Sequence, residues 1–260
     1  MVTATAAKNG ASAEPVTSRR DTRASKVSAV KTEQSSKSNT GWMHVRIHCV
    51  GRTPLLMDPM TDGTIEELET GVRKPINKQL TRYQVCEPKV MHNAAGLIAV
   101  PIDNFFACTV EAGRRIPFQK MSKMSTATST TLPEYFRFIS EDLVLLDNKG
   151  KPLPDWDGKS KNGSWSVDVR RGCLKDGTAV PIRRPKLDHW EFDVEFEYDM
   201  GVISDQKLLD LIKIAGTTMG LCSFRPNKKG RFGTFAMTRW EEIARREQDT
   251  EVEIVRLKAA

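Results

Sequence analysis

The sequence lacks the cysteine and histidine spacings of metal sites and disulfide-stabilised folds. Its five cysteines are odd in number and widely separated, and no CxxC pair occurs. Its four histidines form no HExxH motif. We therefore expect no metal ion and no disulfide framework, and a reducing, cytoplasmic location fits this cysteine usage best. The cysteines are Cys49, Cys86, Cys108, Cys173 and Cys222.

Long apolar runs and the common catalytic signatures are also missing. No segment approaches the roughly 18 apolar residues of a membrane span, so we expect no membrane partner. There is no Ser-His-Asp signature, and the glycine-rich stretch GTTMGLCSFRPNKKG does not end in the Gly-Lys-Ser/Thr of a nucleotide-binding P-loop. The sequence predicts neither a catalytic residue nor a cofactor.

Large apolar side chains are scarce in residues 1–40. This segment holds seven Lys/Arg and three Asp/Glu. Such a chain buries too little apolar surface to offset the entropy of ordering it, which predicts a disordered basic tail. A transit peptide is the alternative, because the segment contains Arg and Ser and has few acidic residues. The folded domain is predicted to span residues 41–260.

Basic charge is present and unevenly distributed. The net charge is +7, and the region 187–210 is acidic. Separate basic blocks of this kind are typical of proteins that bind a polyanion, and they favour nucleic acid as the partner. The blocks cover residues 72–90, 112–133, 147–186 and 225–239.

The most informative segment is Gly216–Phe235, here called the glycine loop. Glycine permits positive φ and close approach of another chain, and clustered Arg and Lys suit phosphate groups. The alternative is a helix C-cap at Gly216 followed by a solvated basic turn. The residues predicted to form the phosphate cradle are Gly220, Gly230 and Gly233 with Arg225, Lys228, Lys229 and Arg231.

Alternation of apolar and polar residues predicts half-buried strands at Trp42–Val50 and Trp190–Tyr198. A final core strand is predicted at Arg231–Trp240. Residues 241–258 are predicted to form a charged tail element, helical or extended. Two short strands are predicted at Tyr135–Ile139 and Leu143–Leu146.

Two amphipathic helices are predicted between these strands. The first spans Asp103–Arg115 with Asp103 as its N-cap. Ser204 caps the second, whose apolar face is formed by Leu208, Leu211, Ile212 and Ala215.

Long insertions separate the core elements. Residues 52–96 form a connection with a short helix near Thr64–Thr70. Residues 117–133 show no periodicity, which predicts a mobile loop within the larger insertion 117–187. Strand-like patterns follow at Ser164–Leu174 and 178–186, where Pro181 and Pro185 are predicted breaks.

Without the insertions the element order is β-α-β-β-α-β. This order predicts an α+β fold of the ferredoxin-like or RRM-like type, with an antiparallel sheet and both helices on one face. The open sheet face would carry the acids of the Trp190–Tyr198 strand, together with His44, Arg46 and His48. Because that face is acidic, we expect any nucleic acid to run along the insertions and the glycine loop instead.

Some residues allow two interpretations. His44 and His48 are either surface residues or part of an acid-base or metal site near the acidic strand. Trp156 and Trp165 either stack on bases or a neighbouring subunit, or pack locally within a hairpin.

The motifs together resemble the RAMP superfamily, in particular the backbone subunits of CRISPR Cascade-type effector complexes. The glycine pattern of the loop carries most of this resemblance, which is supported by weaker matches near the first strand and first helix. The residues concerned are Ile214-Ala215-Gly216, Met219-Gly220-Leu221, Phe224-Arg225-Pro226, Gly230–Phe235, Val100-Pro101 and Thr53–Leu56.

The resemblance implies a non-catalytic subunit of an antiviral ribonucleoprotein. Such a subunit binds guide RNA and complementary target nucleic acid, repeats as a helical filament and contacts other effector subunits. The insertion 117–187 would hold a thumb-like hairpin, and the insertion 52–96 a finger-like segment. Asp58 and Asp62 lie where some backbone subunits carry a metal-dependent RNA-cleaving aspartate. The predicted RNA contacts are Arg225, Lys228, Lys229 and Arg231, the loop glycines, Arg114, Arg115, Lys120, Arg170 and Arg171.

Two other functions fit the same sequence. One is an endoribonuclease of the superfamily, with His44 or His48 as general acid or base. The other is a structural or assembly protein of a phage or cell, in which the acidic strand pairs with the basic glycine loop of the next copy.

Overall fold

The computed structural model describes residues 41–72, 79–118, 122–157, 163–173, 177 and 179–246. The predictions for the basic tail 1–40, for Lys120 and for residues 247–258 lie outside the described residues. The strands are β1 (Trp42–Gly51), β2 (Leu55–Leu56), β3 (Ala99–Pro101), β4 (Phe136–Phe138), β5 (Asp142–Val144), β6 (Trp165–Cys173), β7 (Ala179–Leu187), β8 (Glu191–Asp199) and β9 (Phe235–Arg246). The helices are α1 (Asp62–Thr70), α2 (Arg82–Cys86), α3 (Ile102–Gly113), α4 (Leu132–Tyr135) and α5 (Asp205–Ile214).

The central sheet has four antiparallel strands in the order β4-β8-β1-β9. Along the chain, the core elements follow as β1, α3, β4, β8, α5 and β9. This is the strand order and connectivity of a ferredoxin-like α+β fold, so the predicted fold class is confirmed.

The alternation seen in the sequence places one face of the sheet in the core. Val45, Ile47 and Cys49 of β1 are buried, as are every second residue of β8 from Phe192 to Tyr198. Phe105 of α3 packs on this face, with its ring 5.8 Å from that of Phe192. Each buried aromatic ring removes a large apolar area from water, so these residues supply much of the stability of the core.

The two core helices begin differently. Ser204 caps α5, and its hydroxyl accepts from the Lys207 N–H at 3.5 Å, as predicted. Asp103 does not cap α3, so that prediction was wrong. The helix already begins at Ile102, directly after Pro101, and Asp103 lies in its first turn. A carboxylate there still favours the helix through the helix dipole.

The last strand begins later than predicted. Residues 231–234 belong to the glycine loop, and pairing with β1 runs from Phe235 to Arg246. The start of the predicted tail element therefore continues β9. The strand predicted at Leu143–Leu146 forms as β5, but it pairs with β3 outside the central sheet.

The described parts of the insertion 52–96 contain more regular structure than the sequence predicts. The predicted short helix forms as α1, which buries none of its residues. A second helix, α2, was missed because five residues are too few to show a period. A capping box fixes its start: Thr81 Oγ1 accepts from the Gln84 N–H, and Gln84 Oε1 accepts from the Thr81 N–H.

A β-hairpin forms in the insertion 117–187 from β6 and β7, which correspond to the predicted strand-like segments and are paired from Trp165–Leu187 to Cys173–Ala179. Pro181 and Pro185 do not break β7, contrary to the prediction. At both positions the backbone groups of β7 point away from β6. The absence of an N–H group in proline therefore removes no hydrogen bond to β6. The Pro185 carbonyl accepts from the Met57 N–H on that outer side. Proline is tolerated where a strand needs no ladder donor.

The tryptophans of this insertion pack locally. Trp165 is 2% exposed, and its indole N–H donates to Asp155 at 2.9 Å. Its ring lies 6.0 Å from that of Trp156, and both rings lie beside Tyr83. This arrangement agrees with the hairpin-packing interpretation.

The loop predicted at 117–133 contains ordered contacts where it is described. Ser125 bridges to Thr130, with 2.8 Å between their hydroxyl oxygens, and Met124 is fully buried. The sequence did not predict this turn, because one buried methionine in a polar segment forms no periodic pattern.

Candidate nucleic-acid interface

The glycine loop starts where α5 gives way to a wider helical turn, Ala215–Met219. Gly220 ends this turn with φ of 72°, and its N–H donates to the Ala215 carbonyl at 2.9 Å. Its positive φ is a backbone conformation that glycine adopts without steric cost.

Backbone hydrogen bonds fix the loop to the segment after β1. The Ser223 N–H donates to the Leu56 carbonyl, and the Gly233 N–H donates to the Pro54 carbonyl, each at 2.9 Å. The Leu221 N–H closes the base of the loop on the Gly233 carbonyl at 2.8 Å. The base of the loop is therefore hydrogen-bonded into the fold, while its basic residues Lys228, Lys229 and Arg231 are exposed to solvent.

Three residues of the loop other than glycine have left-handed backbones. They are Cys222, Phe224 and Lys229, with φ of 57°, 55° and 61°. Such conformations are uncommon outside glycine and often occur at functional sites. Gly230 permits this path, because a Cβ at that position would collide with the Phe224 carbonyl.

The hairpin and the glycine loop meet at an arginine–phenylalanine cluster, formed by Arg170, Arg184, Arg231, Phe224 and Phe232. The Arg170 guanidinium lies 4.7 Å from the ring centre of Phe232 and 5.4 Å from that of Phe224. Arg184 lies 5.8 Å from Phe224, and Arg231 lies 5.6 Å from Phe232. Such cation–π contacts stabilise the arrangement. They also place cations of two predicted basic blocks on one surface.

The segment after β1 joins this surface through Asp58. Its carboxylate accepts from Lys89 Nζ at 2.8 Å and from Arg184 Nε at 2.7 Å. Burial alone would raise the pKa of Asp58, but the two hydrogen-bonded cations hold that pKa below its ordinary value. Asp58 thus holds two basic side chains in place. Asp62, the other aspartate considered for catalysis, is exposed in the first turn of α1.

A cleft of about 390 Å³ lies beside the glycine loop at the start of α3. Inside the loop, the Arg225 guanidinium donates to the Cys222 carbonyl at 2.9 Å. Burial raises the pKa of the Cys222 thiol to about 12 although Arg225 acts in the opposite direction, so the thiol stays protonated. The residues lining the cleft are Asp58, Pro59, Met91, Pro101, Asn104, Cys222, Ser223 and Arg225.

The other predicted contact residues lie elsewhere. Arg114 pairs with Glu111 at 3.0 Å near the end of α3, with Arg115 beside it. A helix of this length extends for about 18 Å, so the two arginines lie far from the cleft at its start. Arg171 follows Arg170 along β6 and therefore points to the opposite face of the hairpin. RNA contacts by these three arginines stay predictions.

The open face of the central sheet is a ladder of opposite charges. Arg46 Nε donates to Glu195 at 2.8 Å, and His44 Nε2 lies 3.1 Å from the same carboxylate. His48 lies 2.8 Å from Asp193 through Nδ1 and 3.1 Å from Glu191 through Nε2. The hydrogen bond from Arg46 is the main reason why the pKa of Glu195 is lowered. The acids of β8 thus have partners within the sheet.

One aromatic residue of this face escaped the sequence analysis. Trp42 lies on the same face of β1 as His44, and the guanidinium of Arg137 lies 4.1 Å above the ring of Trp42. The strand pattern contained this information, because Trp42 is two residues before His44.

Within the described ranges, no group of three or more His, Cys, Asp or Glu side chains is placed to hold a metal ion. Among the same residues, none of the helices has the length and apolar character needed to cross a membrane.

The sequence did not predict four residues of the surface where the β6–β7 hairpin meets the glycine loop. They are Phe224, Phe232, Lys89 and Arg184. The available signal was the pair of phenylalanines flanking the basic residues of the glycine loop. The role of Lys89 and Arg184 depends on contacts between segments that are distant in sequence, which no local pattern displays.

No protein-family model matches the chain, and no curated protein matches it. Among solved structures, it is similar to a chain in the cryo-EM structure of the Type III-B Cmr-beta bound to cognate target RNA. The two chains are 12% identical with a TM-score of 0.44, and the match covers 78% of this chain and 61% of that chain. The ferredoxin-like assignment itself rests on the strand order and helix positions described above.

Proposed function

We propose that this chain is a non-catalytic RNA-binding subunit of a CRISPR-type ribonucleoprotein effector complex. In this proposal it binds the backbone of a guide RNA, repeats along it as a filament and contacts the target strand and other subunits. The observation that carries the proposal is the arginine–phenylalanine cluster. It joins the β6–β7 hairpin to the glycine loop and gathers basic residues from both on one surface.

The chemistry of the glycine loop suits a sugar–phosphate chain. Lys228, Lys229 and Arg231 follow one another within four residues, next to glycines that leave room for close approach. Arginine and lysine that neutralise phosphates displace counterions and bind without regard to base sequence. Guide RNAs of different sequence need such a contact.

The charge ladder on the open sheet face favours RNA binding over the assembly function considered from the sequence. That alternative requires the acids of β8 to receive the basic loop of a neighbouring copy. Glu195 is already bonded to Arg46 and His44, and Arg246 lies 3.1 Å from Glu197. These carboxylates are less available to a second chain, whereas Lys228 and Arg231 remain for an external anion.

The proposal is tested by the salt dependence of binding to single-stranded RNA. The slope of log K against log salt concentration is negative. Removing one cation that neutralises a phosphate should make this slope less steep by about 0.7. We expect Lys228→Gln and Arg231→Gln each to weaken binding and to reduce the slope by that amount.

The matched control is Arg239→Gln, the same type of change on β9 opposite His48. It should leave both the affinity and the slope unchanged. Equal slopes for wild type and the two loop variants would contradict the proposed phosphate contacts.

A further inference from the structure

The phenylalanine pair of the glycine loop, Phe224 and Phe232, suggests a contact that phosphate binding does not require, and this inference rests on the proposed function. We infer that Phe224 is a stacking platform for an unpaired RNA base. Phe224 is 39% exposed, whereas Phe232, whose ring centre lies 6.3 Å from that of Phe224, is 4% exposed. One ring is thus anchored in the protein and the other is presented at the surface.

The backbone holds Phe224 in this exposed position. Its left-handed φ of 55° is rare for an aromatic residue. The Phe224 carbonyl accepts from the Phe232 N–H at 3.2 Å, and Gly230 leaves just enough room beside it. Together with the hydrogen bond from the Ser223 N–H to the Leu56 carbonyl, this contact fixes the main chain on both sides of Phe224, so little backbone entropy is lost when a ligand stacks on the ring.

The surroundings of the ring select a ligand that is both aromatic and anionic. The guanidinium groups of Arg170 and Arg184 lie within 6 Å of the ring centre while they also donate to Asp168 and Asp58. Arg231 is exposed beside the adjoining Phe232. A nucleobase stacks on an aromatic side chain whatever its identity, and its phosphates then meet the neighbouring cations. Phenylalanine offers no hydrogen-bonding group, so the platform accepts all four bases.

The test uses the full-length chain and short single-stranded RNAs that carry 2-aminopurine at successive positions. Stacking on Phe224 should quench the fluorescence at one position in each bound segment. Phe224→Leu should abolish this quenching and weaken binding about tenfold. The salt slope should stay the same, because the substitution leaves the charge unchanged.

Two further variants separate stacking from a structural role. Phe224→Trp should restore quenching and affinity, which a purely packing role would not require. Phe106→Leu, in the half-buried part of α3, is the matched control and should bind as wild type.

The outcomes are distinct. Full quenching and affinity in a folded Phe224→Leu variant would overturn the stacking platform while leaving the proposed function intact. A wild-type chain that binds no RNA at all would overturn both.

Discussion

At the scale of single residues, the shape of the glycine loop depends on the absence of a side chain at Gly230. Gly230 lies against the Phe224 carbonyl, and backbone atoms cannot move aside as the end of a flexible side chain can. The loop would have to shift to admit even a methyl group. Glycine is therefore required at position 230 because its small size leaves room for the Phe224 carbonyl, and not because the backbone there is left-handed.

We expect Gly230→Ala to lower the free energy of unfolding by about 1–3 kcal/mol, as overpacking usually does. Chemical denaturation measures this. The control is Gly63→Ala, where an added Cβ meets nothing within 4 Å. It should leave the global free energy of unfolding unchanged, because Gly63 lies in α1, which buries none of its residues and can fray alone. Equal stability of the two variants would refute the steric argument.

Asp58 gives a second prediction at this scale, through pH. Its hydrogen bonds to Lys89 and Arg184 lower its pKa in the folded state relative to about 3.9 when unfolded. The stability it contributes is therefore fully present above the unfolded pKa and is lost as the pH falls through the folded pKa. Asp58→Asn should cost about 1–3 kcal/mol at pH 7, and it should make stability fall less steeply below about pH 4.

Unfolding curves from pH 7 to pH 2 check this dependence, with Asp62→Asn on the exposed start of α1 as the control. If Asp58→Asn loses stability as steeply in acid as the wild type, the two hydrogen bonds do not lower the pKa as described. The same variant also addresses catalysis: a non-catalytic chain shows no RNA cleavage that depends on Asp58.

At the scale of elements, similar helix caps should have different consequences. Ser204 starts α5, which buries Leu208, Leu211 and Ile212, whereas Thr61 starts α1, which buries none of its residues. A helix packed in the core unfolds with the domain, but an exposed helix can fray alone.

Ser204→Ala should therefore lower the global free energy of unfolding by about 1 kcal/mol. Thr61→Ala removes an equivalent cap and should leave global unfolding unchanged, with faster amide exchange confined to α1. Global destabilisation by Thr61→Ala equal to that by Ser204→Ala would show that α1 is part of the cooperative core.

The core elements were predictable because each carries a periodic pattern. The strict alternation of β8 and the apolar face of α5 identify both from sequence alone. The N-cap of α3 was predicted two residues too late, because Asp103 is a favourable capping residue, whereas the observed N-cap is Pro101, which has no side-chain capping bond. The continuity of β7 through Pro181 and Pro185 could not be predicted, since it depends on which side of the strand has a neighbour.

At the scale of the whole molecule, the charge pattern separates two surfaces. The open sheet face pairs its acids with cations of β1 and β9, and the glycine loop collects cations near the hairpin. The sequence predicted basic blocks and an acidic strand, but which blocks meet is decided by the fold. Arg170 joins the loop, whereas Arg114 lies at the distant end of α3.

The most direct test of RNA binding by this chain is its purification with its native partners, followed by the ratio of absorbance at 260 and 280 nm before and after nuclease treatment. We predict co-purified RNA of uniform length that resists nuclease, with the number of bound copies rising with RNA length. Protein free of nucleic acid, or an assembly that survives complete removal of RNA, would contradict the proposed function.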